Sequence, residues 1–333
     1  MTGPVRQARS GRGLSVYPTA PPGAVRALAH RAEALGYEHL WFGDSQNLWR
    51  EAYVTMGAAA VGTSRIVFGT GVTNGVTRHR SVLASAWATL HELTDGRVAA
   101  GVGVGDSALR TMGHRPMRVA ELEALITDLR MLWRGEEVKD DRGDSPYRIA
   151  YVERALTVPV YVAASGPRLL DLAGRVADGV ILLVGTDPAT VRSAVAAVAA
   201  GARSTGRSLA DLHFVLWAPV AMEDDAQGAR DQVRAHVART VLRPIDLELK
   251  PAEQDAVQRI RENYDYYAHM VPGSPHAQLV TDDLVRRFAL AGTFDECRAQ
   301  AKALSDAGID QLAMVPFPGP GPVEALLERF ADL

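Results

Sequence analysis

From residue 13 onward the chain alternates between two textures. Short runs are apolar at nearly every position, while longer runs are apolar only every third or fourth residue. The first texture predicts strands buried on both faces, the second predicts helices with one buried face. Strand-like runs fall at 13–18, 38–44, 65–73, 97–105, 158–166, 180–185, 213–222 and 309–317. Helical spacing follows each of them, as at 23–36, 51–62, 81–96 and 119–138. Eight such pairs predict an α/β fold with the parallel sheet closed into a (β/α)8 TIM barrel; an open doubly wound sheet is the alternative. Residues 1–12 lack the rhythm and read as a flexible tail, which leaves 13–333 as one domain. Residues 243–292 interrupt the rhythm between the seventh and eighth strands. Their stretch "ENYDYYAHMVPGSPHAQ" is too aromatic for a linker, so the insertion is expected to cover the barrel mouth.

Composition narrows the possible partners. The net charge is −3 with both signs scattered, so no basic face marks a nucleic-acid binder. The single cysteine, Cys297, excludes an intrachain disulfide framework and a thiolate metal cluster. No histidine pair has zinc-ligand spacing, and no metal is expected. No apolar run is long enough to span a membrane, and the basic start lacks the apolar core of a signal peptide. These features predict a soluble cytoplasmic protein.

The chemistry concentrates where strands end. Strands three, four and five end in "GTGVTN", "GVGVGD" and "AASGPR". In a closed barrel these ends share one opening. Each alone reads as a tight turn. Together they predict close approach of a ligand to main chain, with amide N–H groups for an anion. Gly103-Val104-Gly105-Asp106-Ser107-Ala108 formally fits G-x-G-x-x-A. Three strand–helix units precede it, however, and a long loop separates it from the next helix, which disfavours a dinucleotide site. Asp44 ends strand two, as a helix cap or a ligand contact. His79 beside the third turn and His269 in the insertion are the histidines placed to reach a pocket.

The run "RIVFGTGVTNGVTRHRSVLASAWATLHELTDGRVAAGVGVGDSALRTMG" (65–113) resembles the luciferase-like superfamily of flavin- and deazaflavin-dependent oxidoreductases. Within it the likeness is to methylenetetrahydromethanopterin reductases and their actinobacterial relatives. "YVAASGPRLLDLAGRVADGVILL" and "FALAGTFDECRAQAKALSDAGIDQLAM" extend it over nearly the whole chain. The resemblance implies a cofactor at the C-terminal ends of the strands and a non-prolyl cis peptide at Gly71–Val72. It places Asp44 near the ring edge, Gly71, Val72 and Thr73 in a bulge behind the ring, and Asn74 beside it. Gly103, Val104, Gly105 and Asp106 would line the ring and its chain, with Ala164, Ser165 and Gly166 at the cofactor phosphate. Where many deazaflavin members read Asp-His after strand two, this chain reads Asp44-Ser45.

The expected activity is hydride transfer between coenzyme F420 and an electrophilic C=C, C=N or C=O group of a small molecule. An FMN-dependent monooxygenase fed by a separate flavin reductase is the alternative, and a non-catalytic flavin-binding protein a second one. Asp44, His79 and His269 are the candidate catalytic residues; Tyr17, Trp49 and Tyr267 are candidates for the substrate side. Superfamily membership also implies a homo-oligomer, a dimer or tetramer.

Overall fold

The computed structural model describes residues 11–139, 143–243, 245, 248–265, 268, 271, 273–317 and 322–333. Tyr267 and His269 lie outside the described residues, as do residues 1–10 of the tail. The first half runs β1 (Gly11–Val16), α1 (Pro22–Ala34), β2 (His39–Phe42), α2 (Ala52–Ala60), β3 (Val67–Thr70) and α3 (Arg80–Thr94). It continues with β4 (Val98–Val102), a one-turn α4 (Ser107–Arg110), α5 (Val119–Trp133), β5 (Val160–Ala164) and α6 (Pro167–Val176). The second half holds β6 (Gly179–Leu182), α7 (Pro188–Ser204), β7 (His213–Met222), α8 (Ala226–Thr240), α9 (Pro251–Asn263) and α10 (Asp282–Phe288). It ends with β8 (Leu290–Gly292), α11 (Phe294–Asp306), β9 (Gln311–Pro316) and α12 (Val323–Ala331).

Strands β1 to β7 pair in sequence order, β7 pairs with β9, and β9 pairs with β1, all parallel, so the sheet closes into a barrel. Gly11 and Arg12, read from sequence as tail, belong to β1 because Gln311 and Leu312 of β9 supply their ladder partners. Side chains alternate across the barrel wall. Trp41, Ala99, Ala163, Ile181, Val215 and Ala313 fill the interior. Their strand neighbours Leu40, Ala100, Val162, Leu182, Leu216 and Met314 join the outer layer under the helices. Strands buried on both sides need apolar residues at every position, which is the texture the sequence carries.

β7 is longer than the barrel needs. Its first half pairs with β6, and Val220–Met222 pair with β8 along the same edge, opposite β9. Above that extension a second apolar cluster forms from Val233 and Val237 of α8, Val257 and Ile260 of α9, and Leu284 and Phe288 of α10. α8 therefore packs in this cap. The buried face of α11 (Cys297, Ala301, Leu304) instead joins the outer layer of the barrel core. Helical spacing identifies a buried face but not what covers it. No described helix is long and apolar enough to cross a membrane.

Candidate active site at the barrel mouth

β3 leaves its ladder after Thr70. The peptide joining Gly71 and Val72 is cis, at the position the family resemblance implies. Thr73 then rejoins β4 through a bridge to Val102; its N–H donates to the Gly101 carbonyl at 3.0 Å, and its carbonyl accepts from Gly103 at 3.0 Å. Gly71 and Val72 thus stand out of the sheet as a two-residue bulge at the mouth.

The glycines here serve the bulge itself. A Cβ on Gly101 would lie 1.7 Å from the Thr70 carbonyl oxygen, and one on Gly103 would lie 2.8 Å from a Val72 methyl. A Cβ on Gly71 would lie 2.3 Å from the Trp217 ring. Gly71 and Gly103 line the cavity and at the same time leave room for protein groups. Val72 and Trp217, placed against them, become part of the same lining.

A buried charge network holds the bulge. Asp44, 4% exposed, accepts from the Thr73 hydroxyl at 2.7 Å and from Arg78 Nε at 2.8 Å through Oδ2. Its Oδ1 accepts from the second Arg78 nitrogen at 2.9 Å. Arg78 also pairs with Glu51 and lies over the Tyr53 ring. Burial of this kind is tolerable only when the charges are paired and hydrogen-bonded, and here both carboxylate oxygens are. Asn74, buried beside the bulge, accepts from the N–H groups of Val76 at 3.0 Å and Thr77 at 2.9 Å.

Around the bulge lies a cavity of about 330 Å³. Gly71, Val72, Ala163, Leu183 and Trp217 give it an apolar floor. Asp44, Asn74, Ser107 and Ser165 supply polar groups on one side, and Ser45 reaches Ser107, hydroxyl to hydroxyl, at 2.7 Å. Gly166 begins α6 with no side-chain cap; Pro167 carries no N–H and Leu169 donates to the Gly166 carbonyl at 3.1 Å, so among the described residues the N–H groups of Gly166 and Arg168 are the ones open to an anion. On the other side Tyr17 and Trp49 lie ring to ring at 4.6 Å, both packed over Gly43. Burial raises the Tyr17 phenol to about 12, so its hydroxyl keeps its proton at neutral pH.

The cavity thus gathers Tyr17, Asp44, Trp49, Gly71, Val72, Asn74, Gly103, Val104, Gly105, Asp106, Ala164 and Ser165, with buried Thr73 and Gly166 directly behind. His79 stands apart. It caps α3, its Nδ1 2.7 Å from the Ser81 hydroxyl, and lines a separate cavity of about 680 Å³ between α3 and α5. Sequence reasoning missed the far wall. The end of α8 crosses to the β4 side, where Arg239 pairs with Asp106, and Arg243 follows one turn later. His236, Arg239 or Thr240, and Arg243 fall at helical spacing in "HVARTVLR", a signal that becomes legible only once the helix is known to face the mouth.

A closed parallel barrel whose strand ends surround one cavity is the architecture of an enzyme with its active site on the C-terminal face. The Luciferase-like monooxygenase family profile matches residues 5–311, and the chain belongs to that family. It is 31% identical to the 5,10-methylenetetrahydromethanopterin reductase of Methanolobus tindarius, over 94% of this chain and 96% of the relative. It is 35% identical to the F420-dependent glucose-6-phosphate dehydrogenase of Beutenbergia cavernae, over 61% of this chain and 65% of the relative. Among solved structures it is similar to the coenzyme F420-dependent tetrahydromethanopterin reductase of Methanopyrus kandleri, with a TM-score of 0.77 and 25% identity, covering 97% of this chain and 98% of that one.

Proposed function

We propose that this chain is a coenzyme F420-dependent reductase that passes hydride to an electrophilic C=C, C=N or C=O group of a small molecule. The carrying observation is the apolar floor of Val72, Ala163 and Trp217 beside the uncapped amide end of α6. Such a floor fits the face of a flat tricyclic ring, and the amide end fits a phosphate. The relatives named F420-dependent add weight to the deazaflavin.

A bound reduced deazaflavin supplies the hydride; the chain's part is to position the acceptor carbon and exclude water. Val72 would back the ring, with Asp44 and Thr73 fixing Val72 as positioning residues. Gly103, Val104 and Gly105 would follow the ring's chain, and Ser165 and Gly166 would take the phosphate. Tyr17, protonated and in the cavity, would hold a hydrogen bond to the acceptor group, with Trp49 setting its angle.

Paired titrations with F420 and FMN, each oxidised and reduced, test the cofactor. At least about tenfold tighter binding of F420 is expected; the reverse preference would overturn the reading and make oxygen consumption with reduced FMN the next assay. We also assign the apolar stripe of Val54 on α2, Val61 just after it, and Val82 and Leu93 on α3, all more than half exposed, to contact with a second copy of this chain. A monomer by light scattering at micromolar concentration would refute that contact.

A further inference from the structure

We propose that Arg243 binds an anionic group of the substrate, a carboxylate or phosphate, at the cap side of the mouth. The proposal rests on reading the cavity as a deazaflavin oxidoreductase site and adds to it a class of substrate.

The argument is one of charge left over. The described charged residues on the cavity wall are Asp44, Asp106, Arg110, Arg239 and Arg243. Asp44 is spent on Arg78, as both its oxygens are engaged. Asp106 then faces Arg110, Arg239 and Arg243, and of these it is Arg243 that it reaches least closely. Arg239 is in contact with Asp106, and Arg110 reaches it at 3.0 Å. Arg243 stands off at 3.8 Å, and its side chain donates no hydrogen bond among the described residues.

Arg243 is nevertheless largely out of water, its side chain 27% exposed. Burial lowers its pKa, and the nearby Tyr17 and Tyr264 offset this only in part. A desolvated guanidinium with unspent donors is costly until an anion meets it, and its planar fork suits a carboxylate or phosphate held by two parallel bonds. Position separates substrate from cofactor. Arg243 follows α8 of the cap and sits near Tyr17, whereas the uncapped amides of α6 follow β5.

Arg243→Gln and Arg243→Lys are titrated first with oxidised F420 and with the deazaflavin riboside that lacks its phosphate and glutamyl tail. Loaded with F420, they are then titrated with fumarate, inorganic phosphate and dimethyl fumarate. The glutamine variant is expected to hold F420 within about twofold of wild type and to lose at least about tenfold in affinity for one of the two anions. Lysine restores part of that loss, and dimethyl fumarate binding is unchanged. Equal anion binding by wild type and Arg243→Gln, or none by wild type, overturns the proposal. Loss of F420 affinity with the riboside unaffected also overturns it, giving the arginine to the cofactor's own anion. If wild type does not bind F420, the cofactor reading fails separately, and the anion titrations repeated without cofactor still decide the arginine.

Discussion

At the N-terminal end of the barrel His39 lies flat on Trp41, ring centroids 5.1 Å apart; at the C-terminal end Tyr17 lies on Trp49 at 4.6 Å. Both ends mix aromatic, charged and amide groups, yet their polar atoms are spent differently. Below, Gln311 accepts from the Trp41 indole at 3.0 Å and donates to Glu38 at 3.1 Å and to His39 Nδ1 at 2.8 Å. The Tyr161 hydroxyl meets His213 Nδ1 at 3.0 Å. Donor and acceptor close on each other, which makes a plug. Above, Asp44 and Arg78 are equally closed, but Arg243 keeps unspent donors toward the cavity, and no side chain caps the start of α6 beside it. A ligand site is marked by polar groups left over, not by polar groups gathered.

The comparison can be broken at several points. The largest effect is expected at Gly101, where a Cβ meets a main-chain oxygen that cannot swing away. Gly101→Ala should cost upward of about 3 kcal/mol and yield little folded protein, as a soluble-fraction assay with thermal melting would reveal. Wild-type-like melting would mean that the Thr70 carbonyl has room to move. Next comes Asp44→Ala, which strips the half-buried Arg78 of its bidentate partner while Glu51 remains. A loss of about 3 kcal/mol by urea denaturation is expected, together with weaker F420 binding because Thr73 no longer fixes the bulge.

Gln311→Ala strikes the plug instead. It orphans the Trp41 N–H and leaves His39 Nδ1 without its donor, at a cost of about 2 kcal/mol. F420 affinity should stay at the wild-type value. If Gln311→Ala weakened F420 binding as much as Asp44→Ala, the division of labour between the two ends would be wrong.

Much of this contrast is legible in the sequence, and the limits follow from physics. The barrel strands are readable because burial on both faces leaves a local apolar run; β7 falls on residues 213–222 as the pattern predicts. β8, three residues long, has no period to detect, and the pattern does not set α11 apart from the segment around it. α8 shows the same apolar stripe whether it packs on barrel or cap, so its place among Val257, Leu284 and Phe288 was not legible. The glycine-rich strand ends were legible because main-chain crowding is a local demand. That Arg243 faces the mouth depends on contacts between distant segments, and no local pattern carries that. His79, beside a turn, is a pocket residue as its place suggests, but the pocket is the one between α3 and α5 and not the mouth, and the same place makes it a helix cap.

The smallest effect concerns the plug's response to acid. Burial, helped by the neighbouring His213, lowers the pKa of His39 from 6.5 to about 3. The unfolded chain therefore binds a proton at this position between about pH 6.5 and pH 3 that the folded chain does not. Stability from this histidine is fully present above pH 6.5 and falls as pH drops through that window. Moving from pH 7 to pH 5.5 should remove about 1 kcal/mol through this residue. His39→Gln has no proton to bind at this position and should lose that share of the slope, even if it starts less stable. Urea midpoints of both proteins at the two pH values measure it; parallel declines would mean that His39 is protonated within the plug, with Gln311 turned to accept rather than donate. The same comparison repeated with F420 bound checks the separation of the two ends, because ligand at the mouth should raise both midpoints without altering the difference between their slopes.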